Sequence, residues 1–450
     1  MGSTMTIKDI LAHPESVDFR VDCLGESRIE NPVKGAHFIR EGSRILYRHE
    51  LDAVQESLCE GKPVPSFEKA GPHAKIFHNP SWTRAAIATC GGLCPGLNDV
   101  IKGLVQALWF DYGVRQIYGV RYGLEGLTPH GERPIMLNPD VVDDIHDQGG
   151  TILGSSRGGQ DTGTIVDTLA NMGINMLFML GGDGTLRAAR DVADEIKRRG
   201  LAISVVGVPK TIDNDLAFIG RSFGFETAVY EAGATIACAH MEAKGTPHGI
   251  GLVKLMGRDS GFIAAYAALA NSVANFCLIP EVPFTLTGEH GLLTALERRF
   301  SIGKDHAVII VAEGAGQDLL DGVEMRDASG NVLKKDIGVF LRDSISEHFR
   351  AAGISSSVKY IDPSYIVRSV AARGTDAIHC HLLARNAVHA AMAGRTNCVV
   401  GKCADIYMLV PIALATVERQ KVDPNGPLWQ AVVDATRQNE YMGYEPLVRC

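Results

Sequence analysis

The sequence predicts an α/β fold with two Rossmann-like three-layer αβα domains, mostly parallel sheets and an N-terminal extension. One reason is that short apolar runs alternate with helical patterns along most of the chain. This order requires right-handed crossovers between parallel strands. A second reason is that several apolar runs end abruptly in glycine and polar residues. Strands end in this way where an open parallel sheet offers a ligand-binding edge.

Length and composition are those of an ordinary globular enzyme with two or three domains. The 450 residues are 46% hydrophobic and 21% charged, and the 49 glycines suit a chain with many tight loops. A net charge of −8 argues against nucleic acid or an anionic membrane as the main partner. The ten cysteines are scattered and form no CxxC pair, which favours a reducing, cytoplasmic setting.

Targeting and membrane signals are not expected. The run of low charge over 261–280 contains Asn271, Ser272 and Asn275, so a buried helix followed by a strand is the better interpretation. Residues 1–6 match a loose myristoylation pattern, but no polybasic patch follows to supply a second anchor. A chance match is therefore favoured.

The first strand is predicted after an extension, 1–80, that packs on the main body or on a neighbouring subunit. The extension has a helical pattern near 45–59 and no phosphate-type loop. A strand over 84–89 breaks at the glycine-rich segment 90–98, and a helix is predicted over 99–109. This unit suits close approach of the backbone to a phosphate, although a tight turn alone would produce the same pattern.

A strand over 116–120 follows, and 151–159 is predicted to be a further strand end with Arg157 among glycines. The guanidinium could fork onto phosphate oxygens, or it could lie on a surface turn. Both alternatives are open. A helix predicted over 162–175 leads into the centre of the chain.

The loop 181–185 reads Gly-Gly-Asp-Gly-Thr and follows an apolar strand. Its glycines let backbone N–H groups approach a phosphate, and the next helix offers the positive end of its dipole. Asp183 would repel a bare phosphate. The sequence therefore predicts a divalent cation that bridges this carboxylate and bound phosphates.

The loop 209–215 reads Pro-Lys-Thr-Ile-Asp-Asn-Asp after a second apolar strand. An extended backbone would put Thr211, Asp213 and Asp215 on one side. That side would carry two carboxylates and a hydroxyl next to Lys210. Phosphoryl transfer requires a base for an incoming hydroxyl and cations to hold charge, so these residues point to that chemistry.

A second α/β unit is predicted over 225–367, with a long helix from 222 to about 243 and strands over 249–255, 276–279 and 306–312. Charged and phenolic side chains fall at its strand ends. They suit a phosphorylated sugar, with cations for the phosphate and an acid for hydroxyls. These side chains are Arg258, Glu313, Lys359, Tyr365 and Arg368.

Four motifs occur together in an order that resembles the 6-phosphofructokinase family. They are Gly-Gly…Pro-Gly-Leu-Asn (91–98), Gly-Gly-Asp-Gly-Thr (181–185), Pro-Lys-Thr-Ile-Asp-Asn-Asp (209–215) and Met-Gly-Arg (256–258). The resemblance covers residues 82–412. The extension, the wording of 90–94 and Lys210 are similar to the longer plant- and protozoan-type ATP-dependent subgroup.

The resemblance implies Mg²⁺-assisted, in-line transfer of the γ-phosphoryl group of ATP to the 1-hydroxyl of fructose 6-phosphate. It implies that Asp213 accepts the hydroxyl proton and that Asp183 holds the magnesium. Thr211, Asp215 and Arg258 are implied as further catalytic residues. The alternatives are a pyrophosphate-dependent phosphotransferase and a catalytically silent regulatory paralogue.

The resemblance also implies the binding residues and the assembly. On the nucleotide side these are Gly92, Arg157, Gly158, Gly182, Asp183, Gly184 and Thr185. On the sugar-phosphate side they are Thr211, Ile212, Asp213, Met256, Gly257, Arg258, Glu313, Lys359, Tyr365 and Arg368. The expected domains are 81–224 with about 368–412 for the nucleotide and 225–367 for the sugar phosphate. The tail, 413–450, is expected to clasp a neighbour in a homotetramer whose active sites are completed across subunits.

Two positions bear on the phosphoryl donor. Family members that use pyrophosphate typically carry Asp at position 184 and Lys at 210, whereas short ATP enzymes carry Gly at both. This chain has Gly184 and Lys210. An aspartate at 184 would put charge and volume where the α-phosphate of ATP must pass, so the glycine predicts ATP.

Two further positions depart from the short bacterial enzymes. Gly249 stands where they carry an arginine supplied across a subunit interface. A cation for the sugar phosphate must therefore come from elsewhere. Tyr365 stands where a histidine is usual, as in other long forms.

Overall fold

The computed structural model describes residues 5–320 and 334–443. The start of the myristoylation-like pattern, 1–4, lies outside the described residues, and so do residues 444–450 of the predicted tail. In the described part of the chain, no helix is both long and apolar enough to cross a membrane.

The chain divides into two compact units. The first comprises Met1–Gly224 with Ser369–Arg419, and the second comprises Phe225–Arg368 with Gln420–Cys450. The segment predicted as an extension therefore belongs to the first unit. The predicted tail is divided between the two, with its helices Pro427–Thr436 and Asn439–Met442 in the second.

Strands and helices alternate along most of the chain. The strands are β1 (Asp22–Cys23), β2 (Ile29–Glu30), β3 (Arg44–Leu46), β4 (Ser66–Lys69), β5 (Lys75–Ile76), β6 (Arg84–Thr89), β7 (Gln116–Val120), β8 (Ile135–Met136), β9 (Met176–Gly181), β10 (Ser204–Pro209), β11 (Gly249–Leu255), β12 (Phe276–Leu278), β13 (His306–Ala312), β14 (Ser357–Ile361), β15 (Arg395–Thr396), β16 (Cys398–Cys403) and β17 (Ile406–Pro411). The helices are α1 (Ile7–Ala12), α2 (Leu51–Cys59), α3 (Leu97–Gln106), α4 (Thr162–Asn171), α5 (Asp183–Arg198), α6 (Phe225–Lys244), α7 (Phe262–Asn271), α8 (Leu292–Ser301), α9 (Ile337–Ala351), α10 (Gly374–Met392), α11 (Ile412–Ala415), α12 (Pro427–Thr436) and α13 (Asn439–Met442).

The first unit is built on one large sheet. Within the described residues, nine strands pair in the order β3-β4-β17-β16-β10-β9-β6-β7-β8. The central strands from β16 to β7 are parallel, whereas β17, β4, β3 and β8 pair antiparallel at the two edges. β9 and β10 are buried along their whole length, which is why both read as unbroken apolar runs.

The second unit has a smaller sheet. Its described strands pair in the order β12-β13-β11-β14, all parallel. Its core joins Ile250 and Leu252 of β11 to Leu296 of α8 and Leu341 of α9. The α/β fold class with mostly parallel sheets, predicted from the strand and helix pattern, is confirmed.

Two local predictions are wrong. The segment 151–159 is not a strand, because its ladder contact is a single bridge between Cys90 and Ser156. The loop after β10 is not extended either. It turns at 212–213, and Asn214 has a positive φ of 52°. The predicted alternation of side chains along this loop therefore does not occur.

Candidate active site

The three predicted loops of the first unit leave one edge of the sheet. β6, β9 and β10 are parallel neighbours, so their carboxyl ends lie side by side. The ladder continues one step beyond the strands, since the Cys90 N–H donates to the Leu180 carbonyl at 3.0 Å and the Lys210 N–H donates to the Gly181 carbonyl at 3.0 Å. The strand order thus brings together loops that lie far apart in the sequence.

The central loop opens α5. Its N-cap is Gly182, and no described side chain caps this helix end, so its first N–H groups point outward. A Cβ added at Gly184 would meet no described atom within 4 Å. The fold itself therefore does not require glycine at this position, and a side chain there would extend into open space.

Asp183 lies at the start of α5 and has a partner that the sequence analysis missed. Arg187 Nε donates to both of its carboxylate oxygens, at 3.1 and 3.2 Å, and Arg187 Nη2 donates to the Thr416 carbonyl at 2.5 Å. The spacing of four residues on one helix was the available signal for this pair. The Thr416 contact had no sequence signal.

The Asp183 carboxylate is the candidate protein ligand for the predicted magnesium ion. In the described part of the chain, no three potential ligand side chains cluster around a metal position. Mg²⁺ commonly uses one or two carboxylates and takes its other ligands from substrate phosphates and water. Asp183, with 16% of its side chain exposed beside the α5 N-terminus, suits that mode of binding.

Hydrogen bonds hold the loop after β10 in a turn. Thr211 Oγ1 donates to Asp215 Oδ1 at 3.0 Å and accepts from the Asp213 N–H at 3.2 Å. Ser222 closes the loop, because its Oγ donates to the Thr211 carbonyl at 2.6 Å and its N–H donates to Asn214 Oδ1 at 2.8 Å. Thr211 and Asp215 are therefore in contact, as predicted, but a turn brings them together and not an extended backbone.

The two carboxylates of this loop have different surroundings. Asp215 is buried, and burial raises its pKa, while Arg419 at 3.7 Å and the Thr211 hydroxyl act in the opposite direction. Asp213 is half-buried. The buried carboxylate holds Thr211, and Asp213 is the more accessible of the two. Arg419 had no motif or spacing that could have identified it.

Lys210 contacts the first glycine-rich loop. Its side chain is buried, and its Nζ donates to the Gly92 carbonyl at 2.5 Å. Next to that loop, Ser155 Oγ donates to the Gly91 carbonyl at 2.6 Å. Arg157 is exposed and lies close behind Ser155 in the chain. The structure thus puts Arg157 near the glycine loop, as either sequence interpretation allows.

The Met-Gly-Arg and Glu-Gly segments of the second unit leave adjacent strands. The Glu313 N–H donates to the Leu255 carbonyl at 2.9 Å, and the Gly314 N–H donates to the Gly257 carbonyl at 3.0 Å. A Cβ added at Gly314 would lie 1.9 Å from the Arg258 carbonyl oxygen. Glycine at 314 is therefore what allows Arg258 and Glu313 to lie next to each other.

The other predicted sugar-phosphate residues are less uniform. Lys359 lies inside β14, opposite Gly251, so its prediction at a strand end is wrong. Tyr365 is 75% exposed, and the Arg368 guanidinium lies 4.6 Å from the centre of its ring.

Burial raises the pKa of Glu313, while Arg258 and then Lys254 lower it. Lys254 was not predicted.

The position of the missing arginine has a steric explanation. A Cβ added at Gly249 would lie 2.0 Å from the Ala243 carbonyl oxygen and 2.7 Å from Thr246 Oγ1. No side chain can be accommodated at this point without moving the end of α6.

Comparison with known proteins gives close relatives. The family model for phosphofructokinase matches residues 84–391. An ATP-dependent 6-phosphofructokinase of Borreliella burgdorferi is 49% identical over 443 residues, which is 94% of this chain and 97% of the relative. The enzyme of the same name from Amycolatopsis methanolica is 49% identical, with 95% and 96% covered. ATP-dependent 6-phosphofructokinase 7 of Arabidopsis thaliana is 46% identical, with 88% and 82% covered.

Solved structures share the fold at lower identity. A pyrophosphate-dependent phosphofructokinase from Marinobacter aquaeolei has a TM-score of 0.64 at 20% identity, over 79% of this chain and 91% of its own. Pichia pastoris phosphofructokinase in the T-state has a TM-score of 0.63 at 20% identity, over 82% of this chain and 38% of its own. With its four motifs in order, its loops at common sheet edges and relatives alike along nearly its whole length, the chain belongs to the phosphofructokinase family.

Proposed function

We propose that this chain catalyses the ATP-dependent phosphorylation of D-fructose 6-phosphate at its 1-hydroxyl, giving fructose 1,6-bisphosphate and ADP. One observation carries the proposal. The loops 181–185 and 209–215 leave neighbouring parallel strands, in a chain 49% identical to enzymes named ATP-dependent 6-phosphofructokinase.

In the proposed reaction, the 1-hydroxyl oxygen bonds to the γ-phosphorus as the bond to the β–γ bridging oxygen breaks. Asp213 takes the hydroxyl proton. Thr211 positions this base, because its hydroxyl accepts from the Asp213 N–H and is itself held by buried Asp215. Proton transfer to a positioned general base typically contributes about 10²–10⁴-fold to the rate.

Charge is balanced from several sides. The uncapped N–H groups at the start of α5 could donate to the phosphates, and Asp183 would hold Mg²⁺, which would supply positive charge to neutralise them. Arg258 is proposed to balance charge on the transferred group. Gly92, Arg157 and Gly158 are proposed on the nucleotide side, together with the rest of the 182–185 loop.

The proposed contacts of fructose 6-phosphate, which the family resemblance supports, are Thr211, Ile212, Asp213, Met256, Gly257, Arg258, Glu313, Lys359, Tyr365 and Arg368. Lys359 is half-buried inside β14, and the end of its long side chain can extend beyond the strand.

The donor is tested by steady-state assays with ATP and with pyrophosphate on fructose 6-phosphate. We expect turnover with ATP; activity with pyrophosphate alone would overturn the proposed donor. Gly184→Asp is the matched variant. It should fold normally, because a side chain at 184 meets no described atom within 4 Å, and it should cut kcat/KM for ATP by at least about tenfold. Unchanged ATP kinetics would remove the steric argument.

A homotetramer with active sites completed across subunits, in a cytoplasmic setting, stays part of the proposal on the ground of family resemblance. Sedimentation equilibrium that detected only monomer at assay concentrations would contradict the tetramer.

A further inference from the structure

The second unit contains a buried lysine to which neither the motifs nor the proposed mechanism gives a role. Lys254 lies in β11, two residues before Met256, and only 9% of it is exposed. Its Nζ lies 3.1 Å from Asp336 Oδ2 and 2.9 Å from Asp362 Oδ2. Burial lowers its pKa, but hydrogen bonds to Asp362 and Asp336 outweigh burial and leave the pKa raised, so the ammonium stays charged.

The first carboxylate joins three elements. Asp336 caps α9, where its Oδ1 accepts from the N–H groups of Gly338 and Val339 at 3.0 and 3.1 Å. The Tyr360 hydroxyl of β14 donates to the same Oδ1 at 3.0 Å. Lys254 binds the other oxygen of this carboxylate. β11, α9 and β14 are thereby tied together at one carboxylate.

The second carboxylate begins the segment that carries two proposed substrate residues. Asp362 follows β14, and its Oδ1 accepts from the Ser364 N–H at 3.0 Å and from Ser364 Oγ at 2.5 Å. Tyr365 and Arg368 come directly after this turn. Since Lys254 holds the other oxygen of Asp362, it fixes the point from which this segment leaves the sheet.

The same ammonium acts on a third proposed substrate residue. Glu313, at the end of the neighbouring strand β13, has Arg258, Lys254 and Lys334 as the cations that favour its charged form. Asp362 and burial oppose it. Lys254 thus supports both the geometry of the 362–368 segment and the negative charge of Glu313.

We propose that Lys254 is a positioning residue for fructose 6-phosphate. By holding Asp336 at the start of α9 and Asp362 at the end of β14, it fixes the segment that carries Tyr365 and Arg368 and keeps a cation beside Glu313. The inference rests on the proposed function for the identity of the ligand. It does not involve the nucleotide side of the reaction.

The opposing interpretation is that the cluster only stabilises the fold. Removing one partner of a buried ion pair is strongly destabilising, by roughly 3–5 kcal/mol, so Lys254→Met alone would not separate the two. Lys254→Arg keeps the charge but changes the geometry. Asp362→Asn keeps the side-chain volume at a position whose side chain is 34% exposed. Asp343→Asn is the matched control, since it removes an exposed ion pair with Arg342 on α9.

The experiment measures kcat and both KM values of the full-length enzyme, with thermal unfolding recorded for each variant. We expect Lys254→Arg and Asp362→Asn to raise KM for fructose 6-phosphate by about tenfold or more, which corresponds to ~1.4 kcal/mol of binding. KM for ATP should stay within about twofold of wild type. Asp343→Asn should match wild type in both KM values.

The pH dependence of kcat/KM distinguishes the two interpretations, because a purely structural role of Lys254 would not shift it. If Lys254→Met folds, loss of the cation beside Glu313 should move the acid limb of kcat/KM for fructose 6-phosphate to higher pH, whereas Lys254→Arg should leave the limb in place.

The outcomes distinguish a failure of the proposed function from a failure of the proposed role of Lys254. Wild-type enzyme without turnover of fructose 6-phosphate would overturn the proposed function, and this inference with it. Active wild-type enzyme with an unchanged KM for fructose 6-phosphate in both Lys254→Arg and Asp362→Asn would overturn only the inference. Equal increases in both KM values would also overturn it, because they indicate a general loss of structure.

Discussion

The structure explains the glycines at 249 and 314 differently from the glycine at 184. At 249 and 314 a backbone carbonyl oxygen lies within about 2 Å of where a Cβ would stand, so the fold excludes a side chain. At 184 no described atom lies within 4 Å. Packing therefore requires glycine at 249 and 314. It does not require glycine at 184, where the proposed function assigns the open space to ATP.

Asp213→Asn is the residue-scale test of the proposed base. The amide keeps the size of the side chain but cannot accept a proton from the alcohol, so kcat should fall by about 10²–10⁴-fold with little change in either KM. Steady-state kinetics check this result. Asp191→Asn, at an exposed position on α5, is the control and should keep wild-type kcat. Comparable turnover of the Asp213 variant would refute its role.

At the scale of elements, the order of the parallel strands brings together loops that are distant in the sequence. Loops near residues 91, 182 and 210 meet because β6, β9 and β10 are neighbours, and 257 meets 314 because β11 and β13 are neighbours. Helices then add charge at these edges. α5 supplies both Asp183 and Arg187, and α9 is capped by Asp336, which binds Lys254.

Helix α3 follows the first glycine-rich loop and contains Asp99, whose ionised carboxylate destabilises the fold. Burial raises the pKa of Asp99 to about 6, and its Oδ2 has no hydrogen-bond partner among the described residues. A carboxyl whose pKa is higher in the folded state contributes stability below its unfolded pKa of 3.8, and this contribution is lost as the pH rises through about 6.

Asp99→Asn should therefore be more stable than wild type at pH 7.5, by roughly 1 kcal/mol once partial exposure is allowed for. The difference should narrow as the pH is lowered towards about 5, because the wild-type carboxyl becomes protonated. Urea unfolding at several pH values measures this trend. A difference that stayed constant with pH would contradict the assignment to Asp99 ionisation.

At the scale of the whole molecule, the N-terminal segment is part of the first unit's core. β3 and β4 extend its sheet, and the fully buried ring of Phe67 packs edge-to-face on Phe19 and Phe218 at 5.5 Å each. Phe218 follows the loop that carries Asp213. The segment predicted to be an extension therefore supports the loop that carries the proposed base.

Phe67→Ala should lower the free energy of unfolding by about 3–5 kcal/mol, since it removes a buried ring and leaves a cavity. Activity should fall as well, because Phe218 loses its support. Denaturant unfolding measures the first effect, and steady-state assays with ATP and fructose 6-phosphate measure the second. Phe38→Ala is the control from the same segment, since Phe38 is 42% exposed. Wild-type stability in the Phe67 variant would show that the segment is dispensable.

The family and the α/β fold were predictable from sequence, and both are confirmed. Each motif of glycine, acid and hydroxyl residues is contiguous in the sequence and directly follows an apolar strand. It can therefore be recognised without knowledge of the tertiary structure. Strand limits such as 116–120, 249–255 and 306–312 were also predictable, because buried parallel strands are continuous apolar runs. The roles of the site residues stay predictions until the variants above are measured.

Tertiary structure decided which distant groups hold those local motifs in place. Arg187 reaches Thr416, Asp215 pairs with Arg419, and Lys254 joins Asp336 to Asp362. No periodicity links such positions in the chain, because each pair meets only after the sheets have assembled. Local sequence thus determined the proposed reacting groups, whereas long-range packing determined which residues support them, since a buried charge can find its partner only in the folded chain.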